Sequence, residues 1–163
     1  MRSVVAALLV VVSACGDDAN DTSCGLEGSA TGQAADVAGA PLGPFQRATL
    51  QRTEPTPGGA QIALILDDSP GACGDERTGR RVVIAWCETP APGEYDVVPA
   101  LTLRCPPTEP TVSALIEEPD GADIATAPGT LDVSHAGGCV QAHYELTIGA
   151  QMLVGDANAV VCD

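Results

Sequence analysis

Cys139-Val-Gln-Ala-His-Tyr-Glu-Leu-Thr-Ile148 carries the clearest structural pattern in the sequence. Apolar residues occupy the even positions from Val140 to Ile148, and polar residues occupy the odd positions from Gln141 to Thr147. Because successive side chains of a β-strand point to opposite faces, this alternation predicts a strand with one buried and one exposed face. Such half-buried strands are typical of antiparallel sheets.

Two further strands are predicted on either side of this one. Gly129–His135 precedes it, and the Gly-rich segment Ala136–Gly138 forms the turn between them. On the other side, Gly149 and Ala150 make a two-residue turn with Gly first, which favours a type II′ hairpin. The chain then returns as Gln151–Cys162, so the last third of the sequence is predicted to be a three-stranded meander.

The rest of the body also favours short strands over helices. No helical period of useful length occurs, and 18 Gly and 13 Pro are scattered along the chain, which breaks long helices. Gln61–Leu66 is apolar on both faces, so we expect a central strand there. Many short strands with regular turns predict a single all-β domain, an antiparallel β-sandwich with a β-barrel as the alternative.

The first fifteen residues have a different character. Val4–Val12 is an apolar run of nine residues after Arg2, far shorter than the roughly 20 residues of a membrane-spanning helix. A short apolar run that ends in small residues is typical of an export signal. The end of the run, Val12-Ser13-Ala14-Cys15, resembles the lipobox of bacterial lipoproteins.

This resemblance implies that the signal, residues 1–14, is removed and that Cys15 becomes the lipidated first residue, carrying diacylglycerol and an acyl group such as palmitate. Residues 15–40 are then a lipid-anchored acidic tether, and residues 41–163 form the β-sandwich domain. The membrane, reached through the lipid on Cys15, is the expected partner. The residue after the Cys, Gly16, favours the outer membrane of a bacterial envelope over the inner one.

The cysteine count agrees with a lipid on one cysteine. The chain has seven cysteines, and removing Cys15 leaves six, enough for three disulfides in an oxidising compartment. Six cysteines allow 15 pairings, which the sequence alone does not resolve. Cys87 and Cys105 are an expected pair, because each ends a predicted strand and the Pro-rich link between the two strands can bring those ends together.

A second resemblance covers perhaps two thirds of the mature chain. A Cys-bearing loop after an early strand (Asp67–Cys73), a Pro-Gly-x-Tyr turn (Pro92–Tyr95) and a closing meander that ends in Cys (Gly129–Cys162) resemble a broad group of uncharacterised bacterial lipoproteins. The resemblance implies a disulfide between Cys73 and Cys162. Cys24 and Cys139 then remain as the third pair, which would attach the end of the tether to the domain. No function comes with this group.

Charge excludes one class of partner. The chain carries 22 Asp and Glu against 7 Arg and no Lys, a formal net charge of −15. Cleavage before Cys15 also removes Arg2 and leaves 6 − 22 = −16. Such a surface repels phosphate backbones, so no nucleic-acid partner is expected.

Several clusters of titratable residues are candidate sites. His135, Cys139 and His143 are evenly spaced, but residues four apart on a strand lie about 13 Å from each other, so we expect exposed histidines and no metal. Carboxylates clustered in turns suit calcium, and a weak calcium alternative is the cluster Glu117, Glu118, Asp120 and Asp123. A second acidic loop contains Asp67, Asp68, Asp75 and Glu76.

Arg77, Arg80 and Arg81 form the only basic cluster, and two interpretations are open for it. The cluster is either an anion site or a charged strand end that compensates nearby acids, and the second interpretation is favoured.

No catalytic signature is found. The patterns Gly-x-Ser-x-Gly and Ser-x-x-Lys do not occur in the sequence, and there is no Lys to serve as a base. We therefore expect no enzyme and no cofactor. The sequence predicts a cell-envelope lipoprotein with a structural or protein-interaction role. The alternative is a small-ligand or calcium-binding β module.

Overall fold

The structure is a computed structural model, and it describes most of the chain between Gly28 and Cys162. The described residues are 28–53, 59, 62–69, 73–74, 78–99, 103, 105–107, 109–136 and 138–162. The predicted signal, the predicted lipidation site Cys15 and the cysteine Cys24 therefore lie outside the described residues.

Every regular element in the described part of the chain is a β-strand. The twelve strands are β1 (Ser29–Ala30), β2 (Ala34–Val37), β3 (Ala40–Leu42), β4 (Arg47–Arg52), β5 (Ile62–Asp67), β6 (Arg81–Trp86), β7 (Gly93–Pro99), β8 (Thr111–Glu117), β9 (Asp123–Thr126), β10 (Gly129–Ala136), β11 (Cys139–Ile148) and β12 (Gln151–Cys162). Within the described ranges no helix is long and apolar enough to cross a membrane. The predicted all-β class is confirmed.

Eight of these strands close into a barrel. Their order is β12-β11-β10-β7-β8-β6-β5-β4, and β4 pairs with β12 to complete the circle. The closing pairs are Val160 with Thr49, Val161 with Leu50 and Cys162 with Gln51. Closure removes the free edges that an open sheet would expose.

The predicted sandwich is therefore not confirmed, and its alternative, the barrel, is. The difference arises from β12, which at twelve residues is long enough to pair with β11 over most of its length and with β4 at its end. Its pairing with β4 is parallel, as is the pairing of β7 with β8. The barrel is thus mostly, but not wholly, antiparallel.

The closing meander has the predicted bounds except that β10 ends at Ala136 and not at His135. Strand β11 runs from Cys139 to Ile148, and its residues alternate between buried and more exposed positions from Val140 onward. In the turn that follows, Gly149 has a φ of +61° and Ala150 has no positive φ, as a type II′ turn requires.

The barrel interior is filled with side chains. An eight-stranded barrel is just wide enough for side chains to fill it, and the inward-facing residues here are mainly aliphatic, with Tyr144 the largest apolar side chain fully buried. Leu64, Ile84, Val112, Leu131 and Leu146 each have an exposed fraction of 1% or less. The described part of the barrel therefore shows a packed core and no internal channel of the kind that larger barrels enclose.

Strand β5 is buried on both of its faces, as expected for a central strand. Connecting segments cover part of the outer face of the neighbouring strand β6. Cys87 and Cys105 are joined by a disulfide, and Leu103 packs beside them on Ala85 of β6.

The two disulfides in the described part of the chain match two of the predicted pairs. One joins Cys87 to Cys105 and the other joins Cys73 to Cys162. Cys139 is also disulfide-bonded, and its predicted partner, Cys24, lies outside the described residues.

The segment predicted as a tether contributes to the folded domain from Ser29 onward. Strand β1 pairs with β12, and strands β2 and β3 form a separate hairpin. Val37 and Leu42 of this hairpin, with the following Phe45, are buried in the main core. The hairpin therefore plugs one end of the barrel, and we call that end the plugged end.

Candidate binding site at the barrel mouth

The end of the barrel opposite the plug is the mouth. At the mouth β4, β6, β10 and β12 end, whereas β5, β7, β8 and β11 begin. A cavity of about 310 Å³ lies there. The residues that define this mouth cavity are Leu50, Arg52, Ile62, His135, Val140 and Val161.

The floor of the mouth cavity is apolar because it is the last layer of the barrel core. Leu50, Ile62 and Val140 belong to the main buried cluster. Val161 is paired with Leu50 across the seam between β4 and β12, yet it remains 51% exposed. An apolar group that enters the cavity would cover Val161 and extend the core by one layer.

The rim of the mouth cavity is basic. Strand β4 places Ala48 and Leu50 in the core and ends at Arg52, the next inward position. In the same way β10 places Leu131 and Val133 in the core, with His135 next in that series. Both side chains are exposed, and Arg52 has no ion-pair partner among the described residues. The rim can therefore offer hydrogen-bond donors, one of them always charged, to an anion.

The three residues weighed as a metal site are not brought together. His135 lines the mouth cavity, and Cys139 is buried and disulfide-bonded. His143 lies on the outer face of β11 instead, where Asp132 and Asp156 are its neighbours on the adjacent strands. The β10–β11 turn and the alternation along β11 account for this separation.

The histidine on the outer face is held by carboxylates. His143 Nδ1 lies 2.9 Å from Asp156 Oδ1, and His143 Nε2 lies 3.7 Å from Glu145 Oε1. The hydrogen bond to Asp156 is the main cause that raises the pKa of His143 above its usual value, and Glu145 adds to it. The cluster lies on an exposed sheet face.

Three of the four carboxylates in the candidate calcium cluster bind arginines or the backbone of a turn. Glu117 Oε2 accepts from Arg81, at 2.5 Å, and Glu118 Oε1 accepts from Arg80 at 2.7 Å. Asp120 Oδ1 accepts from the backbone of its own turn, the Ala122 N–H, at 3.0 Å. Asp123, the fourth member, begins β9 and is exposed.

The second acidic loop begins with a buried ion pair. Asp67 Oδ2 accepts from Arg47 Nη2 at 3.0 Å, with side-chain exposures of 1% for Arg47 and 0% for Asp67. The Ser69 N–H and hydroxyl donate to Asp67 Oδ1 at 3.1 and 3.0 Å. Partial burial, with the neighbouring Asp67 charge, raises the pKa of Asp68. Asp75 and Glu76 lie outside the described residues.

In the described part of the basic cluster, Arg80 stabilises the fold by binding both the plug and strand β8's neighbour Glu118. Arg80 Nη1 donates to the Val37 and Ala40 carbonyls of the plug at 2.7 and 2.9 Å. Its other nitrogens donate to Glu118, which lowers the pKa of that carboxyl. Arg80 thus fastens the plug to the barrel, in agreement with the interpretation as a charged strand end. Arg77 lies outside the described residues.

Sequence reasoning missed the mouth as a site, although a signal for it is present. Arg52 and His135 each stand two residues beyond an apolar residue in an alternating run, at the position where the next inward side chain belongs. A charged or titratable residue at the end of an inward series indicates a strand that has reached the barrel opening. Closure of the barrel, through the pairing of β4 with β12, brings these two residues to the same opening.

No protein-family model, curated protein or solved structure matches this chain.

Proposed function

We propose that the chain is a non-catalytic binding protein of the bacterial cell envelope, held by a lipid on Cys15, whose barrel mouth binds a small anion with an apolar tail. The observation that carries the binding proposal is the basic rim of Arg52 and His135 above an apolar floor. In a chain of net charge −15, two such donors at one opening favour an anionic group there against the general repulsion of the surface.

The size of the mouth cavity sets the size of the ligand. A water-sized group occupies about 30 Å³. A cavity of about 310 Å³ therefore accommodates roughly ten non-hydrogen atoms. Because the barrel interior below is filled, the tail has to lie along Leu50, Ile62 and Val161 at the opening. A short-chain carboxylate such as hexanoate has the required chemistry.

The envelope location is supported by two independent features of the chain. The Val12–Cys15 pattern resembles a lipobox, and disulfides such as Cys73–Cys162 and Cys87–Cys105 are typical of oxidising compartments. We propose the outer membrane over the inner one, because Gly16 follows the modified cysteine. Labelled palmitate should enter the wild-type protein but not Cys15→Ser, and equal labelling of both would rule out the anchor.

Isothermal titration with hexanoate tests the binding proposal. Arg52→Gln and His135→Gln should each weaken binding by about tenfold, since each removes a donor to the carboxylate, and hexanamide should bind more weakly than hexanoate. His143→Gln is the matched control, because the only other histidine lies on the outer face. If hexanamide binds as well as hexanoate, or if His143→Gln weakens binding as much as His135→Gln, the anion site is wrong.

A further inference from the structure

The direction of β1 shows at which end the N-terminal side of the chain joins the barrel. Strand β1 pairs antiparallel with β12, with Ser29 opposite Asn158, and β12 ends at the mouth. Read backwards from Ser29, the chain therefore points towards the mouth and away from the plugged end. Gly28 is wedged at this point between β4 and β12, because a Cβ atom there would overlap the Ala48 carbonyl oxygen.

A disulfide makes a second attachment at the same end. Cys139, the first residue of β11, is disulfide-bonded, and β11 begins at the mouth. Cys139 belongs to the outward series of β11 with Gln141 and His143, yet it is only 2% exposed. Its side chain is therefore bonded and covered on the outside of the barrel wall, beside the mouth.

The partner of Cys139 is narrowed by elimination. The chain has seven cysteines, and four of them form the two disulfides described above. Within one chain only Cys15 and Cys24 remain as partners for Cys139. If Cys15 carries the proposed lipid, the partner is Cys24.

The length of the chain allows this bond. Ser29 pairs with Asn158, which pairs with Gln141, and Cys139 precedes Gln141 by two residues. Two strand spacings and two residues along a strand place Cys139 about 12 Å from Ser29. The five residues from Cys24 to Ser29 span up to about 17 Å, and a disulfide bridges about 5.5 Å more between Cα atoms.

We propose that the mouth of the barrel faces the bilayer that holds the lipid of Cys15, so that the surface around Arg52, His135 and Val161 is the membrane-proximal face. The inference rests on the lipid anchor proposed above. Nine residues lead from Cys15 to Cys24, so the lipid lies at most about 32 Å from the attachment at the mouth.

The opposite orientation would leave too little chain. The plugged end is about 25 Å from the mouth, which is the length of the ten-residue strand β11 at the tilt that barrel strands have. For the plugged end to face the bilayer, the chain would have to run back along the barrel. That path alone takes about seven of the nine residues.

Charge does not choose between the two ends of the barrel. Asp36 and Asp120 are exposed at the plugged end, and Glu88 and Glu109 are exposed at the mouth. The position of the attachment therefore sets the orientation, and the same orientation is expected on a neutral bilayer. The mouth cavity then opens towards the lipid, so an anion with an apolar tail can enter it from the bilayer surface.

Paramagnetic broadening of amide resonances measures the orientation. The isotope-labelled protein, purified with its lipid, is placed in phosphatidylcholine nanodiscs that contain a gadolinium-chelating lipid. Amides of Arg52, Ile62 and His135 should be broadened at least about tenfold more than those of Val37 and Leu42. The reason is that broadening falls steeply with distance and the plug is about 25 Å farther from the bilayer.

Variants test whether the disulfide sets this orientation. Cys24→Ser combined with Cys139→Ser should lower the ratio of broadening between the two ends by at least about threefold, because the chain from Cys15 is then held only from Ser29 and reaches about 50 Å. Cys87→Ser combined with Cys105→Ser is the matched control. It removes another disulfide near the mouth, and it should leave the ratio unchanged. Near-ultraviolet circular dichroism shows whether each variant is folded.

Peptide mapping without reduction separates the ways in which the proposal can fail. A fragment that joins Cys24 to Cys139 supports the attachment, whereas one that joins Cys15 to Cys139 contradicts it together with the lipid anchor. Wild-type protein that stays on the nanodiscs with equal broadening at both ends, or with stronger broadening of the plug, overturns the orientation and leaves the anchor standing. Protein that does not associate with the nanodiscs overturns both.

Discussion

The two histidines show how one position on a strand decides what a side chain can do. His135 continues the inward series of β10 and reaches the mouth cavity, whereas His143 lies on the outward series of β11. Strand alternation predicts both placements once the strand bounds are known. The sequence did not reveal that the inward series of β4 and β10 end at the same opening, because that depends on pairings between distant strands.

Asp156→Asn should lower the pKa of His143, because Asp156 is the main cause of its elevation. With a folded-state pKa above the unfolded one, the His143 contribution to stability is fully present below about pH 6.5 and is lost as the pH rises through the folded-state pKa. At pH 5.5 the free energy of unfolding of the variant should therefore fall, by less than about 1 kcal/mol because the pair is so exposed. At pH 9 it should hardly change.

Nuclear magnetic resonance titration of the His143 ring measures the pKa, and urea unfolding at the two pH values measures the stability. Asp123→Asn is a control, since Asp123 lies in β9, away from the ring. An unchanged His143 pKa in Asp156→Asn would contradict the assignment.

The Arg47–Asp67 pair illustrates the opposite environment, where a charge is fully buried. Asp67→Asn should destabilise the fold by about 3 kcal/mol, because it leaves the Arg47 guanidinium buried without its counter-charge. Urea unfolding gives the change in the free energy of unfolding. A loss below about 1 kcal/mol, the range of exposed pairs, would show that the pair is open to solvent.

At the scale of elements, the sequence predicted long strands well and short ones poorly. Strands β11 and β12 have the predicted bounds, and β5 differs from the predicted Gln61–Leu66 by one residue at each end. Strands β1 to β3 and β9 were missed, because they have two to four residues and are rich in Ala, Asp and Ser. Such segments show no alternation, and their strand conformation depends on the barrel against which they pack.

Arg80→Gln should release the plug, the hairpin of β2 and β3, from the barrel end. The variant removes the donors to the Val37 and Ala40 carbonyls as well as the ion pair with Glu118. We expect amide hydrogen exchange across residues 34–42 to accelerate by at least about tenfold, since hydrogen bonds to a charged group contribute about 1.5–3 kcal/mol.

Arg81→Gln is the matched control for this experiment. Arg81 is the neighbouring arginine, and the ion pair it makes is with Glu117 of β8, which is not part of the plug. Amide exchange in residues 34–42 should be faster in Arg80→Gln than in Arg81→Gln. If both variants exchange equally fast, or if Arg80→Gln leaves the exchange unchanged, Arg80 does not fasten the plug.

At the scale of the whole molecule, barrel closure could not be read from the sequence. The seam between β4 and β12 consists of three paired residues on each strand, more than a hundred residues apart in the chain. Alternation and turn signals are the same for a sandwich and a barrel, so both remained open. The seam also forms part of the proposed binding site, since it brings Leu50 and Val161 together as part of the mouth floor.

The two disulfides whose cysteines are both described should contribute unequally to global stability. Cys73 and Cys162 are 89 residues apart, and Cys87 and Cys105 are 18 residues apart. Because a disulfide stabilises mainly by restricting the unfolded chain, the longer loop should contribute roughly 4.5 kcal/mol to the free energy of unfolding and the shorter loop roughly 3 kcal/mol. Double Cys→Ser variants of each pair, compared by urea unfolding, test this. Only the Cys73–Cys162 variant should also speed amide exchange at the seam, because Cys162 pairs with Gln51 there. Faster amide exchange at the seam in the variant that lacks the Cys87–Cys105 disulfide would contradict this prediction.

A plug closes one end of the barrel, and we propose that the other end binds a small anion with an apolar tail. A titration of isotope-labelled protein with hexanoate, followed by ¹⁵N–¹H correlation spectra, tests it most directly. We predict that the shifted amides cluster at the mouth, at Arg52, Ile62, His135 and Val161, while Val37 and Leu42 of the plug do not move. Shifts confined to the outer face around His143, or no shifts at any concentration, would contradict it.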